Sequence, residues 1–244
     1  MSYAAEVLSD SPVAYYQTAE ASGLLQDSSG NGNHATATVG GGSCSYQEAG
    51  PILSASPNYA IKLNTPFAFT VPDHATLDVG DVFTLEYWVS FADFGVFADN
   101  ILDKGAGAFG LGITLTGSDA VFDLSHRGVA VITTSSAIGG AGPTIWRHLV
   151  CTKDGADVHL YWDGVDVTGS ITNSTIGNNT NVLNIGTTYD DKLSQIAIYP
   201  TALSQARVQA HYNAAFPVVP GRKYKRFYGP AQLPTSPTTL YTVP

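Results

Sequence analysis

Between residues 83 and 91 the chain runs Phe83-Thr84-Leu85-Glu86-Tyr87-Trp88-Val89-Ser90-Phe91. Phe83, Leu85, Tyr87, Val89 and Phe91 fall on one side if the chain is extended, because successive strand side chains point to opposite faces. A helix would scatter these five residues around its axis, so the run requires a strand with one face in a core. Similar runs recur at Val13 to Gln17, Tyr59 to Leu63, Phe109 to Leu115, Ala120 to Leu124, Val129 to Thr133, Ile145 to Thr152, Val158 to Trp162, Val182 to Ile185 and Leu193 to Tyr199. From Phe109 onward they follow at roughly ten-residue intervals with Gly, Asn or Asp between, the rhythm of a two-sheet antiparallel sandwich. Asp163-Gly164 signals a tight hairpin.

The fold class expected is all-β, a jelly-roll sandwich with one short C-terminal helix and an extended Pro-rich arm. The period changes after Pro200, where Leu203, Val208 and Tyr212 form a helical stripe and Ser204 is placed as N-cap for about ten residues. From 217 onward Pro217, Pro220, Pro230, Pro234, Pro237 and Pro244 interrupt any regular element. The expected organisation is a domain over 1–216 and an arm, or the start of a truncated β module, over 217–244.

Charge divides at the same point. All 20 Asp and Glu precede position 217 with only seven of the 11 Lys and Arg, so residues 1–216 carry 7 − 20 = −13. Arg222, Lys223, Lys225 and Arg226 sit within five positions of the arm. An acidic body repels nucleic acid and anionic membranes, and neither is expected as a partner. Cys44 and Cys151 form no metal or redox pair and are expected reduced. The start Met1-Ser2-Tyr3-Ala4-Ala5-Glu6 has no basic, then apolar, export signal, and no stretch reaches the ~20 apolar residues of a membrane span.

Four blocks in order resemble the laminin G-like, concanavalin A-like superfamily in its bacterial and phage branch: Val13-Ala14-Tyr15-Tyr16 with Asp27-Ser28-Ser29-Gly30-Asn31-Gly32; Phe83 to Val89; Trp146-Arg147-His148-Leu149-Val150 with Leu160-Tyr161-Trp162-Asp163-Gly164; and Ile196-Ala197-Ile198-Tyr199 with Ala202-Leu203-Ser204 and His211-Tyr212. The resemblance implies a calcium site near the Asp-Ser-Ser-Gly-Asn-Gly loop, completed by an acidic pair before the last strand. Here that pair is Ser194-Gln195, which removes two charges and weakens such a site. Asp27 and Asn31 stay candidate ligands, with Asp190-Asp191 as substitute charge; a purely structural turn is the competing reading. No other cofactor is expected.

The resemblance also covers glycosidases, which need two carboxylates converging on a sugar. The chain has only Glu6, Glu20, Glu48 and Glu86, and Glu86 is followed at the next same-face position by Trp88. The aspartates at 154, 157, 163 and 166 read as hairpin corners, His148 as a strand surface residue and His211 as a packed helix residue. No catalytic residue is assigned. For binding, aromatic faces with nearby amides suit a sugar; Tyr59, Asn178, Asn179 and Tyr189 are the candidates at the sandwich rim.

In the arm, Tyr228-Gly229-Pro230-Ala231-Gln232-Leu233 resembles the opening of small β modules attached to phage structural proteins, and Arg222, Lys223, Lys225, Arg226 and Tyr228 are the expected anchor. The function these resemblances imply is a non-catalytic virion protein (minor tail, fibre or decoration), assembled in the host cytoplasm. Other virion proteins would contact 217–244, a host surface glycan would meet the sandwich, and a homo-oligomer stays open. A stand-alone bacterial lectin domain and a glycoside hydrolase are the alternatives.

Overall fold

The period-2 runs do form antiparallel strands. The computed structural model describes residues 1–55, 58–64, 66–90, 98–116, 119–125, 130–134, 145–186 and 192–216. In chain order the elements are α1 (Tyr3–Ser9), β1 (Ala14–Tyr16), β2 (Leu24–Leu25), β3 (Ala35–Val39), β4 (Ser43–Ala49), β5 (Tyr59–Asn64), β6 (Phe67–Val71), β7 (Val82–Ser90), β8 (Ala98–Asp103), β9 (Gly110–Thr116), β10 (Asp119–Ser125), β11 (Ala130–Thr134), β12 (Trp146–Asp154), β13 (Asp157–Trp162), β14 (Val165–Asp166), β15 (Thr168–Ile171), β16 (Leu183–Ile185), β17 (Lys192–Tyr199) and α2 (Gln205–Ala214). A 3₁₀ turn, Ala75–Leu77, lies between β6 and β7. One sheet has the order β14-β13-β12-β7-β17-β5-β4, with β1 also on β17; the other runs β15-β11-β10-β9-β8-β16-β6-β3-β2.

The first sheet supplies Phe83, Leu85, Tyr87, Val89, Leu149, Cys151, Leu160, Ile196 and Ile198 to the core between the layers, against Phe69, Val71, Leu102, Leu111, Leu183 and Ile185 of the second. Cys151 is a buried free thiol, as its strand position suggests, and Cys44 is also unpaired. The alternate residues of the first sheet do not face water. Tyr15, Trp88, Val150, Tyr161, Ala197 and Tyr199 form a second apolar cluster with Tyr3 and Val7 of α1 and Leu203, Val208 and Ala215 around α2. Two helices therefore roof the outer face of this sheet. The sequence pattern anticipates α2, with Ser204 at its N-cap, although no side-chain bond caps it there. It does not anticipate α1, a seven-residue helix whose N-cap Ser2 accepts from the Ala5 N–H.

The Asp163-Gly164 hairpin forms as expected, with Trp162 opposite Val165 and both turn residues at positive φ (53° and 76°). Gly186 also has positive φ (80°), and it must lack a side chain for a second reason, since a Cβ there would stand 2.1 Å from Leu63 Cδ1 in the core. Gly186→Ala should cost about 2–4 kcal/mol, overpacking added to left-handed strain. Urea unfolding checks this, and a loss below ~1 kcal/mol would contradict the packing described. Among the described residues, no helix is long and apolar enough to cross a membrane.

Candidate functional site

With one outer face roofed, the other sheet offers the open surface. Its register aligns Thr36 with Thr70, Thr70 with Asn184 and Asn184 with Asp103. Phe69, Val71, Leu183, Ile185 and Leu102, their neighbours along the strands, are buried in the core, so the row faces outward by alternation. Strands lie about 4.8 Å apart, and the four side chains make a ladder of two hydroxyls, an amide and a carboxylate across β3, β6, β16 and β8. Thr38 Oγ1 extends it, 3.0 Å from Thr70 Oγ1. Such a row can exchange hydrogen bonds with a hydroxyl-rich ligand. The sequence alone does not reveal it, because β3 is made mostly of small and polar residues and the register joins distant segments.

Three loops border this row where β6 and β8 end and β16 begins. Asn178 Oδ1 accepts from Gly80 N at 2.8 Å, and Asn179 Nδ2 donates to the Lys104 and Ala106 carbonyls at 3.0 and 2.9 Å. Gly177 N donates to Gly107 O at 2.8 Å. Asn178 and Asn179 thus fix the rim through their own amides. Tyr59 is not with them; it opens β5 in the other sheet, half-buried, its carbonyl accepting from Ser194 Oγ at 2.9 Å. Tyr189, Asp190 and Asp191, Phe91, and the whole anchor set of Arg222, Lys223, Lys225, Arg226 and Tyr228 lie outside the described residues.

The Asp27 turn does not fit a calcium ion. Asp27 Oδ1 accepts from Tyr15 N and Ser29 N, both at 2.9 Å, and Oδ2 from Ser29 Oγ at 2.8 Å and Asn33 N at 2.9 Å. A carboxylate has about four lone-pair sites, and donors occupy all of them. Asn31 uses its amide as a donor, to Val13 O at 3.2 Å. Ser194 lies 3.2 Å from the Thr18 hydroxyl, while Gln195, at φ 53° in a bulge of β17, accepts from Tyr15 OH and donates to Gln17 O. These positions close one hydrogen-bonded turn. Among the described residues, no group of three or more His, Cys, Asp or Glu side chains could hold a metal ion.

Glu86 and His148 correct a sequence expectation. His148 is not on a surface, because α2 covers that face and leaves both residues with no solvent exposure. Glu86 Oε1 accepts from Tyr3 OH at 2.9 Å and lies 2.7 Å from His148 Nε2. Oε2 accepts from Tyr199 OH at 2.7 Å and lies 2.9 Å from His211 Nδ1. Burial pushes the Glu86 carboxyl up, but the His211 charge and the bonds from both histidines outweigh it and hold it well below the usual carboxylate range. His211 is a packed helix residue, as expected, and reaches Asp10 Oδ2 at 2.8 Å through Nε2. Arg207 then ties Asp10 and Glu6 of the α1 region to α2.

An open cleft of about 340 Å³ lies beside the start of α2, lined by Asp154, Asp157, His159, Tyr161, Asp166 and Ser204 among others. His159 is held between Asp157 at 3.0 Å and Asp166 at 2.9 Å. Burial raises the Asp166 carboxyl, but Thr168 and His159 outweigh it and leave it below its ordinary value, a group kept ionised and unsuited to donate a proton.

A family model described as the concanavalin A-like lectin/glucanases superfamily matches residues 67–209. No curated protein sequence matches the chain. Among solved structures, the binding domain of Paraclostridial Mosquitocidal Protein 1 is similar with a TM-score of 0.61 and 20% identity, over 85% of this chain and 53% of that one. Domain 4 of AbnA, a GH43 extracellular arabinanase from Geobacillus stearothermophilus in complex with arabinotriose, gives 0.62 and 19%, over 82% and 98%. The botulinum neurotoxin serotype C1 binding domain gives 0.60 and 14%, over 85% and 53%. The chain spans about half the length of the two toxin domains. At these identities the likeness is one of fold.

Proposed function

Because the chain belongs to the concanavalin A-like lectin/glucanases superfamily, we propose that it is a non-catalytic binding domain, displayed on a bacteriophage particle and recognising a host surface carbohydrate. The burial of Glu86 carries the non-catalytic half: the one glutamate in the central strand run has both oxygens engaged by four partners under a roof of two helices. A glycosidase needs a pair of carboxylates open to the sugar, one of them held protonated. The Asp157 and Asp166 pair in the open cleft is committed to His159.

The binding half is supported by the outward row of Thr36, Thr70, Asn184 and Asp103 and by the named neighbours, binding domains of toxins and an arabinanase domain carrying arabinotriose. The coverage of nearly the whole arabinanase domain favours, as a second reading, a bacterial carbohydrate-binding module. The particle is proposed from the sequence: the phage-like blocks, and a basic Pro-rich segment over 217–244 following a body of −13, suited to anchor on other virion proteins. Removing 217–244 should leave a folded domain that no longer joins the particle, measured by mass spectrometry of purified virions. A truncated protein that still assembles would contradict the anchor.

A further inference from the structure

We propose that the Lys104 ammonium is the resident cation of an oxygen cage at the rim, so that the loops bordering the polar row are ordered without a metal ion. A consequence, which rests on the binding reading above, is that ligand recognition at this rim is independent of calcium.

Lys104 follows β8 and is fully buried. Its Nζ lies 2.7 Å from Asp73 Oδ1, 3.0 Å from Asn179 O, 3.2 Å from Asn181 O, 3.4 Å from Asn179 Oδ1 and 3.4 Å from Asp78 Oδ1. Two carboxylates, two carbonyls and an amide oxygen from two other segments thus converge on one point. This is the ligand chemistry of a hard cation, at the distances of an ammonium and not of a metal. An ammonium has three protons, and Asp73, Asn179 O and Asn181 O take the short contacts. The fourth strong acceptor, Asp78 Oδ1, is buried and receives no hydrogen bond. The cage holds more oxygens than its occupant can serve, which fits a cation cage better than a simple salt bridge.

Lys153 repeats the device a short way along the same segments. It is buried, lies 2.8 Å from Asp81 Oδ1 and 3.0 Å from Asn173 Oδ1, and donates to the Gly155 carbonyl. The same Asp81 oxygen accepts from Ile176 N at 2.8 Å. Two internal ammoniums therefore fasten residues 173–181 to residues 73–81 at both ends. Gly105, beside Lys104, leaves no slack, since a Cβ there would meet Asn181 Nδ2 at 2.6 Å.

The test is thermal unfolding of the whole chain with calcium chloride or methylammonium chloride as probe. Lys104→Ala should lower Tm by about 5 °C, the effect of emptying a buried site and leaving two partly exposed carboxylates, two carbonyls and an amide oxygen without their cation. Lys104→Met, which fills the space without charge, should lose a similar amount. About 10 mM calcium chloride, above the dissociation constants of weak oxygen sites, should raise the Tm of Lys104→Ala by several degrees more than that of the unsubstituted protein, and Asp78→Asn added to Lys104→Ala should abolish that difference. Equal responses of Lys104→Ala and the unsubstituted protein to both probes would overturn the proposal, as would a Lys104→Met protein as stable as the original. Should Lys104→Ala not fold, recovery on refolding with calcium but not with a chelator supports the cage, and no recovery in either overturns it. None of these readouts uses a ligand, so their failure leaves the binding reading standing. A protein that binds glycan only with calcium would instead overturn the consequence alone.

Discussion

Replacing Glu86 by alanine is expected to lower Tm by about 10 °C or more, a loss of about 3–5 kcal/mol. The carboxylate accepts from two tyrosines and faces two histidines, all in the second apolar cluster or against it. Its removal strands the Tyr3 and Tyr199 hydroxyls and leaves the His211 charge facing only Asp10. An unsatisfied buried donor costs about 1–3 kcal/mol, and several are created at once. Trp88 Nε1 donates to Tyr3 OH at 2.9 Å, so the damage spreads to the largest buried ring of the roof. Glu86→Gln keeps the volume but turns one oxygen into a donor facing other donors, and should fall between. Calorimetry distinguishes these outcomes. A Glu86→Ala shift below ~2 °C would mean that the roof does not depend on this carboxylate.

The second large effect is on pH dependence. Burial lowers the His211 imidazole, but the Glu86 charge and hydrogen bond, with those of Asp10, outweigh it and leave it above its ordinary 6.5. A raised value means that its contribution to stability is complete below pH 6.5 and is lost as pH rises through the folded value. Glu86, held below its ordinary 4.5, contributes fully above pH 4.5 and loses that contribution as pH falls through its depressed folded value. Stability should therefore be greatest between these two ordinary values and decline on both sides. Tyr3, Tyr15 and Tyr199, buried and raised well above 10, confine a clean comparison to pH below 10. In His211→Gln the decline above pH 6.5 should flatten. A stability maximum at alkaline pH, or an unchanged alkaline limb in the variant, would contradict the ionic roof.

Apolar alternation made the inner layer legible. Phe83, Leu85, Tyr87 and Val89 all lie in the core. The same run also held the outer-layer residues Thr84, Glu86, Trp88 and Ser90, and nothing local tells whether such a face meets water or a helix. That depends on where α2 packs: its helical stripe is legible, but not that its Tyr212 stacks on His148 and covers the face that the sequence assigns to solvent. Strands β3 and β4 escaped notice because Ala35–Val39 and Ser43–Ala49 are mostly small or polar, as sheet-edge segments can be. At the rim, the asparagines at 178 and 179 were recognised as amides near an open end, but not their commitment to Gly80, Lys104 and Ala106. Those bonds link segments far apart in the chain. At the Asp27 turn the sequence leaves an ion site and a purely structural turn open, because the donors that take the carboxylate lone pairs include the Tyr15 N–H, twelve residues away in the chain.

Carbohydrate should be recognised without being converted, at the open face and not under the helical roof. A glycan array probed with the full chain, followed by product analysis of every retained polysaccharide and by the same array with Thr70→Ala and Asn184→Ala, tests it most directly. Retention on specific glycans, no release of reducing ends, and weakened retention in both variants are expected. Measurable turnover that disappears in Glu86→Gln, or retention indifferent to the open-face variants, would contradict it.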